Sequence, residues 1–171
     1  MSLKLKKYFR LPNTPKNRLK EGGRRIKKKN LNVNPFFSII TVVLNNEKFI
    51  EQTIKSVLNQ KYKNFEYIII DGGSTDGTIE IIKKYEKKID YWVSGKDKGL
   101  YDAFNKGMSV AKGEFIGIIN SDDLYTKNSL SIISKYVFSN KKIDFIFGSV
   151  KKHWGILHGY RPEKIFYSWG F

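Results

Sequence analysis

From Phe36 onward, the chain alternates between two patterns of apolar and polar residues. Short runs that are apolar almost throughout are typical of strands covered on both faces. Other segments repeat apolar residues every three or four positions, which is typical of helices with one apolar face. The predicted strands span residues 36–44, 65–71, 91–94, 114–120 and 143–150, and the predicted helices span residues 47–60, 74–88, 101–111 and 128–138. This repeated β-α-β order predicts an α/β fold, with a mostly parallel sheet flanked by helices.

Two of the predicted helices have specific local signals. The first places one apolar face at Ile50, Ile54, Val57 and Leu58. The second is expected to begin at Ser74 or Thr75 as the capping residue, with Asp76 near its positive end.

Polar residues follow three of the predicted strands. They are Asn45 to Glu47 after the first, Asp71 to Asp76 at the end of the second, and Asn120 to Asp123 in the stretch FIGIINSDDLY. Ligands of open α/β sheets bind outside the carboxyl ends of the strands, so we expect the three clusters to share one edge. Oxygen ligands without histidine or cysteine favour Mg²⁺ or Mn²⁺, which suits a nucleoside diphosphate. The glycines after Asp71 are expected to let the backbone approach a ligand closely, and the amides that open the next helix are expected to receive an anion or a hydroxyl.

Composition narrows the class of protein. The chain has 171 residues, about one domain, and no cysteine, which excludes disulfides and thiolate zinc sites. No apolar run is long enough to span a membrane. A P-loop and a Rossmann glycine fingerprint are both absent from the sequence.

Positive charge is concentrated in residues 1–34, which carry 12 of the 32 Lys and Arg residues and a single acid. With Pro12, Pro15 and the Gly22-Gly23 pair, this stretch predicts a mobile or surface-lying basic arm without a packed element. One interpretation is a solubilising tail. A second is binding to an anionic membrane surface through Leu3, Leu5, Tyr8, Phe9 and Leu11 with the neighbouring basic residues. Binding to nucleic acid ranks last, because residues 35–171 show no basic stripe with interleaved aromatics.

Two quoted blocks carry a family resemblance. They are SIITVVLNNEKFIEQTIKSVLNQKYKNFEYIIIDGGSTDGTIEII and SGKDKGLYDAFNKGMSVAKGEFIGIINSDDLY. Over residues 38–150 the chain resembles the nucleotide-sugar-binding half of a family 2 glycosyltransferase with the Rossmann-like GT-A fold. It is most similar to the bacterial polysaccharide and O-antigen branch. The resemblance divides the chain into a basic arm, 1–34, and a truncated nucleotide-sugar-binding domain, 35–171, without the carboxyl-terminal acceptor half.

The resemblance also assigns binding residues. The segment with Thr41, Val43 and Asn45 is expected to lie along the nucleoside. Asp71 matches the first of two acids that end the second strand. The second acid, which in the family helps to hold the base, is replaced here by Gly72, so the resemblance leaves the base open. Asp97 and Lys98 are expected to approach the phosphates or sugar of the nucleotide-sugar.

The stretch NSDD falls on the metal motif of the family. The resemblance implies Asp122 as the main ligand of Mn²⁺ or Mg²⁺, with Asn120 and Asp123 as helpers and Ser121 among the residues that bind the nucleotide-sugar. The residues alone leave alternatives open. Asp122 and Asp123 could cap the following helix, Asp97 could form a plain turn, and Tyr101 and Phe104 could belong to the core rather than stack on a ligand.

The implied function is inverting, metal-dependent hexosyl transfer from a nucleoside diphosphate, with a UDP-sugar favoured. The acceptor would be a glycan or a lipid-linked glycan in cell-surface polysaccharide synthesis. The expected location is the cytoplasm, peripherally at the inner face of the membrane. The general base is expected beyond Phe171. Two alternatives are a degenerate protein that binds the nucleotide-sugar without transfer, and a nucleic-acid-binding protein that acts through its arm.

Overall fold

The computed structural model describes residues 20–27, 34–140 and 143–146. The strands are β1 (Lys20–Gly22), β2 (Phe37–Val43), β3 (Phe65–Asp71), β4 (Tyr91–Ser94) and β5 (Phe115–Asn120), and the helices are α1 (Ile50–Leu58), α2 (Thr78–Lys84), α3 (Leu100–Val110) and α4 (Ser129–Ser139). The described residues up to Ser129 belong to one compact unit, and those from Leu130 onward belong to a second.

The sheet has the strand order β1-β4-β3-β2-β5. The pairings of β2 with β3, β2 with β5 and β3 with β4 are parallel, whereas β1 pairs with β4 in the antiparallel direction. The prediction of an α/β fold with a mostly parallel, helix-flanked sheet is therefore confirmed.

The core is centred on β2 and β3. All seven residues of β2 are buried, as the unbroken apolar run predicts for a strand with layers on both faces. Helix α1 buries Ile50, Ile54 and Val57, while Leu58 is only half-buried. Helix α3 lies very close to the sheet at Gly107, where a Cβ atom would come within 2.5 Å of the Ile40 side chain. Glycine at this position lets α3 approach the sheet.

The start of the described chain is part of the sheet. Lys20 pairs with Ser94 and Gly22 pairs with Trp92. The prediction that residues 1–34 contain no packed element is therefore wrong for β1. The sequence pattern missed this strand because its three residues, Lys-Glu-Gly, show no apolar alternation.

Two ion pairs fix the residues that follow β1. Arg25 pairs with Glu66 and also donates a 2.7 Å hydrogen bond to the carbonyl of Val110. Arg24 pairs with Asp90 at 2.6 Å. Burial raises the pKa of Asp90 above its ordinary value, although Arg24 and the Tyr67 amide favour the charged form. These arginines neutralise acids that the fold buries.

Glu66 is the more enclosed of the two acids, with 2% of its surface exposed. Besides Arg25, it accepts hydrogen bonds from the Ser38 hydroxyl at 2.5 Å and from the Lys112 amide at 2.6 Å. The charge of Glu66 is therefore compensated by Arg25, by a hydroxyl group of β2 and by a backbone amide that follows α3.

Two predicted boundaries differ from the structure. Helix α2 begins at Thr78, and neither Ser74 nor Thr75 caps it. The Ser74 hydroxyl instead donates to Asp71, and the Thr75 amide donates to Asn45, so both residues are held in the preceding loop. The strand predicted for 143–150 is absent at residues 143–146, and its remainder lies outside the described residues.

In the second unit, α4 carries local hydrogen bonds from Ser134 to the Ser131 carbonyl and from Asn140 to the Tyr136 carbonyl, both at 3.0 Å. Among all the residues that the structure describes, no helix has the length and apolarity needed to cross a membrane.

Candidate functional site

The carboxyl ends of four strands meet at one edge of the sheet. Val43 lies opposite Asp71, Val42 lies opposite Asn120, and Asp71 lies opposite Ser94. The connections that leave these strands therefore start side by side. We call this edge the rim, and it comprises residues 44–49, 72–77, 95–99 and 121–128.

Asp71 lies beneath the rim and is 1% exposed. Its Oδ2 accepts hydrogen bonds from the amides of Gly73 and Ser74, both at 2.9 Å, and from the Ser94 hydroxyl at 2.6 Å. Its Oδ1 accepts a hydrogen bond from the Ser74 hydroxyl. These four bonds occupy about the full capacity of a carboxylate. Asp71 thus holds the loop after β3 against β4, and its predicted contact with a nucleotide-sugar stays a prediction.

The amides around the start of α2 are also occupied from within the chain. The Thr75 amide donates to Asn45 Oδ1 at 2.8 Å, and the Gly77 amide donates to Glu47 Oε2 at 2.7 Å. The Thr78 amide donates to Asp76 Oδ1 at 3.0 Å. The expectation that these amides receive an external anion or hydroxyl is therefore wrong, because the chain's own oxygens already accept their protons.

Asp76 joins two of the rim loops. Burial opposes its ionisation, yet hydrogen bonds from Thr78 and from the Glu47 amide hold its pKa below the ordinary value. The Glu47 amide donates to Asp76 Oδ2 at 3.1 Å. The charged Asp76 side chain thus links the loop after β3, in which it lies, to the loop after β2.

The loop after β2 reaches both neighbouring loops through two asparagines. Asn45 has a left-handed backbone, with φ of 49°. Its backbone N–H donates a hydrogen bond to the Ser74 hydroxyl at 2.8 Å. Asn46 donates from Nδ2 to the Ser121 hydroxyl at 2.8 Å. The backbone N–H of Asn46 donates a hydrogen bond to Thr78 Oγ1 at 3.0 Å. Asn46 belongs to the polar cluster predicted after the first strand, although it was given no individual role, and it connects the loop after β2 to the NSDD stretch.

Thr41 and Val43, predicted to lie along a nucleoside, are buried in β2. The Thr41 hydroxyl bonds to the Tyr67 hydroxyl at 2.9 Å within the core. Both side chains are enclosed because β2 is covered on both faces, and the prediction that this segment lies along a nucleoside stays a prediction. Within the same segment, Leu44 and Asn45 are exposed.

Helix α1 supports the loop after β5. The Thr53 hydroxyl, fully buried, lies 2.9 Å from the carbonyl oxygens of both Ser121 and Asp123. The Tyr125 amide donates to the Ser56 hydroxyl at 3.1 Å. Thr53 was missed in the sequence because its partners are about seventy residues away in the chain.

Asp122 and Asp123 are exposed at the rim. Asp123 Oδ2 accepts a 3.2 Å hydrogen bond from Asn120 Nδ2, and its amide donates to the Asn120 carbonyl. Among the described residues, Asp122 has no hydrogen-bond or ion-pair partner. Since α4 begins only at Ser129, neither acid caps that helix. The alternative reading of these acids as helix caps is therefore excluded.

The two acids fit a hard divalent ion. Within residues 20–27, 34–140 and 143–146, no three or more His, Cys, Asp and Glu side chains form a group that could hold a metal. Mg²⁺ and similar ions are commonly bound by one or two carboxylates, with water and substrate phosphates completing the shell. The exposed Asp122, with Asp123 and Asn120 beside it, matches that smaller set.

The loop after β4 comes close to Gly72. A Cβ atom built on Gly72 would lie 2.6 Å from Asp97 Oδ2. Asp97 also accepts the Gly99 amide at 3.0 Å, as in a turn. The space that a side chain at residue 72 would need is thus held by a carboxylate from another loop. The interpretation of Asp97 as a turn residue is therefore confirmed, and its predicted approach to the phosphates or sugar of a nucleotide-sugar stays a prediction.

Helix α3 holds the same loop through two residues one turn apart. Asp102 Oδ2 accepts hydrogen bonds from the Lys98 amide at 3.0 Å and from Lys106 Nζ at 3.1 Å. Lys106 is 7% exposed and also donates to the Lys96 carbonyl at 3.2 Å. The Lys98 amide, followed by the Lys106 charge, holds the pKa of Asp102 below its ordinary value despite partial burial. Neither residue was assigned a role from the sequence.

The two aromatic residues of α3 differ in their surroundings. Tyr101 is 80% exposed, whereas Phe104 is partly buried and packs against the core cluster that contains Ile40 and Ile70. The interpretation of these aromatic residues as part of the core is correct for Phe104 and wrong for Tyr101.

Residues 38–170 match the family model described as Glycosyl transferase family 2. Because this match covers more than half of the sequence, the chain belongs to that glycosyltransferase family. Its sheet and helices have the GT-A fold of its structural neighbours. The family resemblance read from the sequence is thereby confirmed.

Three relatives illustrate the similarity. TuaG of Bacillus subtilis, named for teichuronic acid biosynthesis, is 37% identical over 102 residues, or 58% of this chain and 40% of its own length. The structure of S. aureus TarS 1-349 in complex with UDP-GlcNAc is 28% identical, with a TM-score of 0.57 over 61% of this chain and 32% of that one. The mannosyltransferase PcManGT of Pyrobaculum calidifontis, in complex with GDP-Man and Mn²⁺, shares the fold at 22% identity, with a TM-score of 0.62 over 71% of this chain and 37% of that one.

The chain spans only part of the curated relatives that it matches. It covers 16% of a glycosyltransferase from Rickettsia bellii and 48% of one from Methanocaldococcus jannaschii. The described rim therefore corresponds to part of a longer glycosyltransferase in these relatives.

Proposed function

We propose that the rim binds a nucleoside-diphosphate sugar for inverting transfer of a hexose to a glycan or lipid-linked acceptor in cell-surface polysaccharide synthesis. The observation that carries the proposal is the meeting of four loops at the rim, where Asp122 and Asp123 are exposed beside the Asn46–Ser121 hydrogen bond. TuaG, named for teichuronic acid biosynthesis, supports a cell-surface polysaccharide as the product.

We propose Asp122 as the main ligand of Mn²⁺ or Mg²⁺, with Asp123 and Asn120 beside it. The Mn²⁺ in the complex of the structural neighbour PcManGT supports a divalent ion as the cofactor. A divalent ion, when bound, supplies positive charge that offsets the charge building on a departing nucleoside diphosphate. Thr53 holds the carbonyl groups of this loop, so the carboxylates are presented on a fixed backbone.

The nucleotide-sugar would lie across the loops after β2, β3 and β4. A UDP-sugar is favoured, in line with the UDP-GlcNAc complex of TarS. Lys98 is exposed and suits the diphosphate, whereas Asp97 suits hydroxyl or N–H groups of the sugar or base, because a carboxylate repels phosphate. Asp97 beside Gly72 is our candidate for the contact with the base that residue 72 cannot make.

The proposed location is the cytoplasm, peripherally at the inner face of the membrane. Anionic lipid would be contacted through the basic stretch of residues 1–34, which carries 12 of the 32 Lys and Arg residues. Binding of the nucleotide-sugar without transfer is a second candidate for this chain by itself, since the chain covers less than half of its curated relatives.

Calorimetry with UDP and GDP, with and without Mn²⁺, tests the proposal. Asp122→Asn should weaken Mn²⁺-dependent nucleotide binding by about tenfold or more, which corresponds to about 1.4 kcal/mol. Glu114→Gln removes an exposed carboxylate before β5, at the opposite end of that strand, and should leave affinity unchanged. Equal affinities of the two variants would contradict the proposed metal site. Release of free sugar or of a glycosylated product from UDP-sugars separates transfer from binding alone.

A further inference from the structure

Asp97 lies in the loop after β4, and the peptide groups on both sides of it are bound by one ion pair of α3. The Lys96 carbonyl, which precedes Asp97, accepts a 3.2 Å hydrogen bond from Lys106 Nζ. The Lys98 amide, which follows Asp97, donates to Asp102 Oδ2 at 3.0 Å. Lys106 Nζ and Asp102 Oδ2 lie 3.1 Å apart. The backbone at Asp97 is therefore held on either side by charge-assisted hydrogen bonds to two residues one helical turn apart.

Other contacts of the same loop leave one oxygen of Asp97 available at the rim. The Gly95 amide donates to the Asp71 carbonyl at 3.0 Å, so the loop starts against β3. Asp97 Oδ1 accepts the Gly99 amide at 3.0 Å, which closes the turn into α3. Asp97 Oδ2 has no hydrogen-bond partner among the described residues, and it lies 2.6 Å from the place that a Cβ atom of Gly72 would take. This oxygen is therefore presented to a ligand in a defined place.

The burial of Lys106 indicates a role other than stability. Only 7% of its surface is exposed. Desolvation of a buried ion pair offsets much of its attraction, so apolar residues of similar size would stabilise the fold about as well. The pair with Asp102 differs from such residues in that each charged group also binds a peptide group next to Asp97. What the pair adds is thus a fixed position for the Asp97 carboxylate.

A carboxylate in a fixed position can distinguish between nucleotide bases. An ionised carboxylate only accepts hydrogen bonds. Uracil presents an N–H group at N3, and guanine presents one at N1. Cytosine instead has a lone pair at N3, which a carboxylate repels, and its donor is the neighbouring 4-amino group. A fixed carboxylate cannot shift to that amino group, whereas a mobile one can, so the selection depends on what holds Asp97 in place.

We infer that Lys106 and Asp102 are positioning residues, which hold Asp97 against a base N–H group and so select uracil or guanine nucleotides over cytosine nucleotides. The inference rests on the proposed function of the rim as the site of a nucleotide-sugar. It extends that function from Asp97 to the ion pair that fixes its backbone. It also narrows the substrate class, because sugars linked to CDP would be rejected.

Calorimetry with UDP and CDP in the presence of Mn²⁺ tests the inference. The unaltered chain should bind UDP about tenfold or more tightly than CDP, as expected for a hydrogen bond to a charged acceptor. Lys106→Met keeps an unbranched side chain but removes the ammonium group, and it should bring the two affinities to within about threefold of each other. A general loosening of the domain would instead lower both affinities by the same factor and leave their ratio unchanged.

A second variant and a control accompany this measurement. Asp102→Ala removes the acceptor of the Lys98 amide at a side chain that is 31% exposed, where truncation is compatible with folding, and it should lower the ratio as Lys106→Met does. The control is Lys55→Met, which breaks the i,i+4 ion pair between Lys55 and Glu51 in α1 and should keep the ratio of the unaltered chain. An unchanged ratio in Lys106→Met or in Asp102→Ala would overturn the inference.

A double-mutant cycle shows whether the ion pair acts through Asp97. In an Asp97→Ala background the two affinities should already be close, and Lys106→Met should not change their ratio further. A further change would assign the selection to another group and overturn the inference. Failure of the unaltered chain to bind either nucleotide would contradict the proposed function and the inference together. Binding of UDP and CDP with equal affinity would contradict the inference alone.

Discussion

The carboxylate of Asp97 lies against the backbone of Gly72, so close that a Cβ atom at residue 72 would be 2.6 Å from Oδ2. Gly72→Ala should therefore rotate Asp97 away from this position. The stability cost should stay within about 1 kcal/mol, because the displaced group is the end of a side chain. If Asp97 contacts the nucleotide-sugar, binding measured by calorimetry should weaken.

A double-mutant cycle checks whether this weakening acts through Asp97. In an Asp97→Ala background, Gly72→Ala should cause no further loss of affinity, because the methyl group then displaces nothing. Additive losses would mean that residue 72 affects binding independently of Asp97.

Asp102 should make stability depend on pH in the acid range. The Lys98 amide and Lys106 hold its folded-state pKa below the ordinary value, so the ionised form favours the folded state. This stabilisation is present above the unfolded pKa of about 3.9 and is lost as the pH falls through the lower folded value. Urea unfolding of Asp102→Asn at pH 7 should cost about 1–2 kcal/mol, and the cost should shrink in acid. A cost that is the same at pH 7 and below pH 3 would exclude this charge effect.

The Arg25–Glu66 pair should contribute strongly to stability. Arg25→Met leaves Glu66 buried without its cation, with an expected cost of about 3 kcal/mol, or roughly 6–12 °C in Tm. Lys27→Met breaks an ion pair in which half of the lysine side chain is exposed, and it should cost about 0.5 kcal/mol or less. Thermal unfolding compares the two variants. Similar shifts would mean that the buried position of Glu66 does not matter.

Thr53 should link the core to the metal-binding loop. Thr53→Val keeps the shape of the side chain but leaves the carbonyl groups of Ser121 and Asp123 without the hydroxyl that they share, so we expect a loss of about 1–2 kcal/mol. Mn²⁺-dependent nucleotide affinity should fall as the loop loosens. Thr126→Val, at an exposed hydroxyl of the same loop, should change stability by less than about 0.5 kcal/mol. Unaltered Mn²⁺ dependence in Thr53→Val would show that the loop keeps its geometry by other contacts.

The parts of the fold that depend on local pattern could be predicted from the sequence. The apolar run at residues 37–43 is rich in β-branched residues, and the structure buries every residue of it. The common edge for Asn45, Asp71 and Asn120 followed from the rule that parallel strands end together. Each of these inferences needs only neighbouring residues or strand direction.

The missed features depend on partners far away in the chain. The sequence alone assigns Arg24 and Arg25 to a basic arm, because their acidic partners are far away in the chain. Asp90 is 66 residues from Arg24, and Glu66 is 41 residues from Arg25. The sequence alone predicts Ser74 as a helix cap. In the fold its hydroxyl instead bonds to Asp71 and to the backbone N–H of Asn45, and these partners meet only once the loop has folded. The sequence identified which side chains could donate or accept, but only the fold decides which partner each of them takes.

Strand β1 also covers the outer edge of β4. Without it, the backbone N–H and C=O groups of residues 92–94 would be exposed along an edge flanked by Trp92 and Val93. An uncovered apolar edge strand is a template for pairing with another chain. Truncation beyond residue 19 is therefore expected to cause aggregation, even though only three residues of strand are lost.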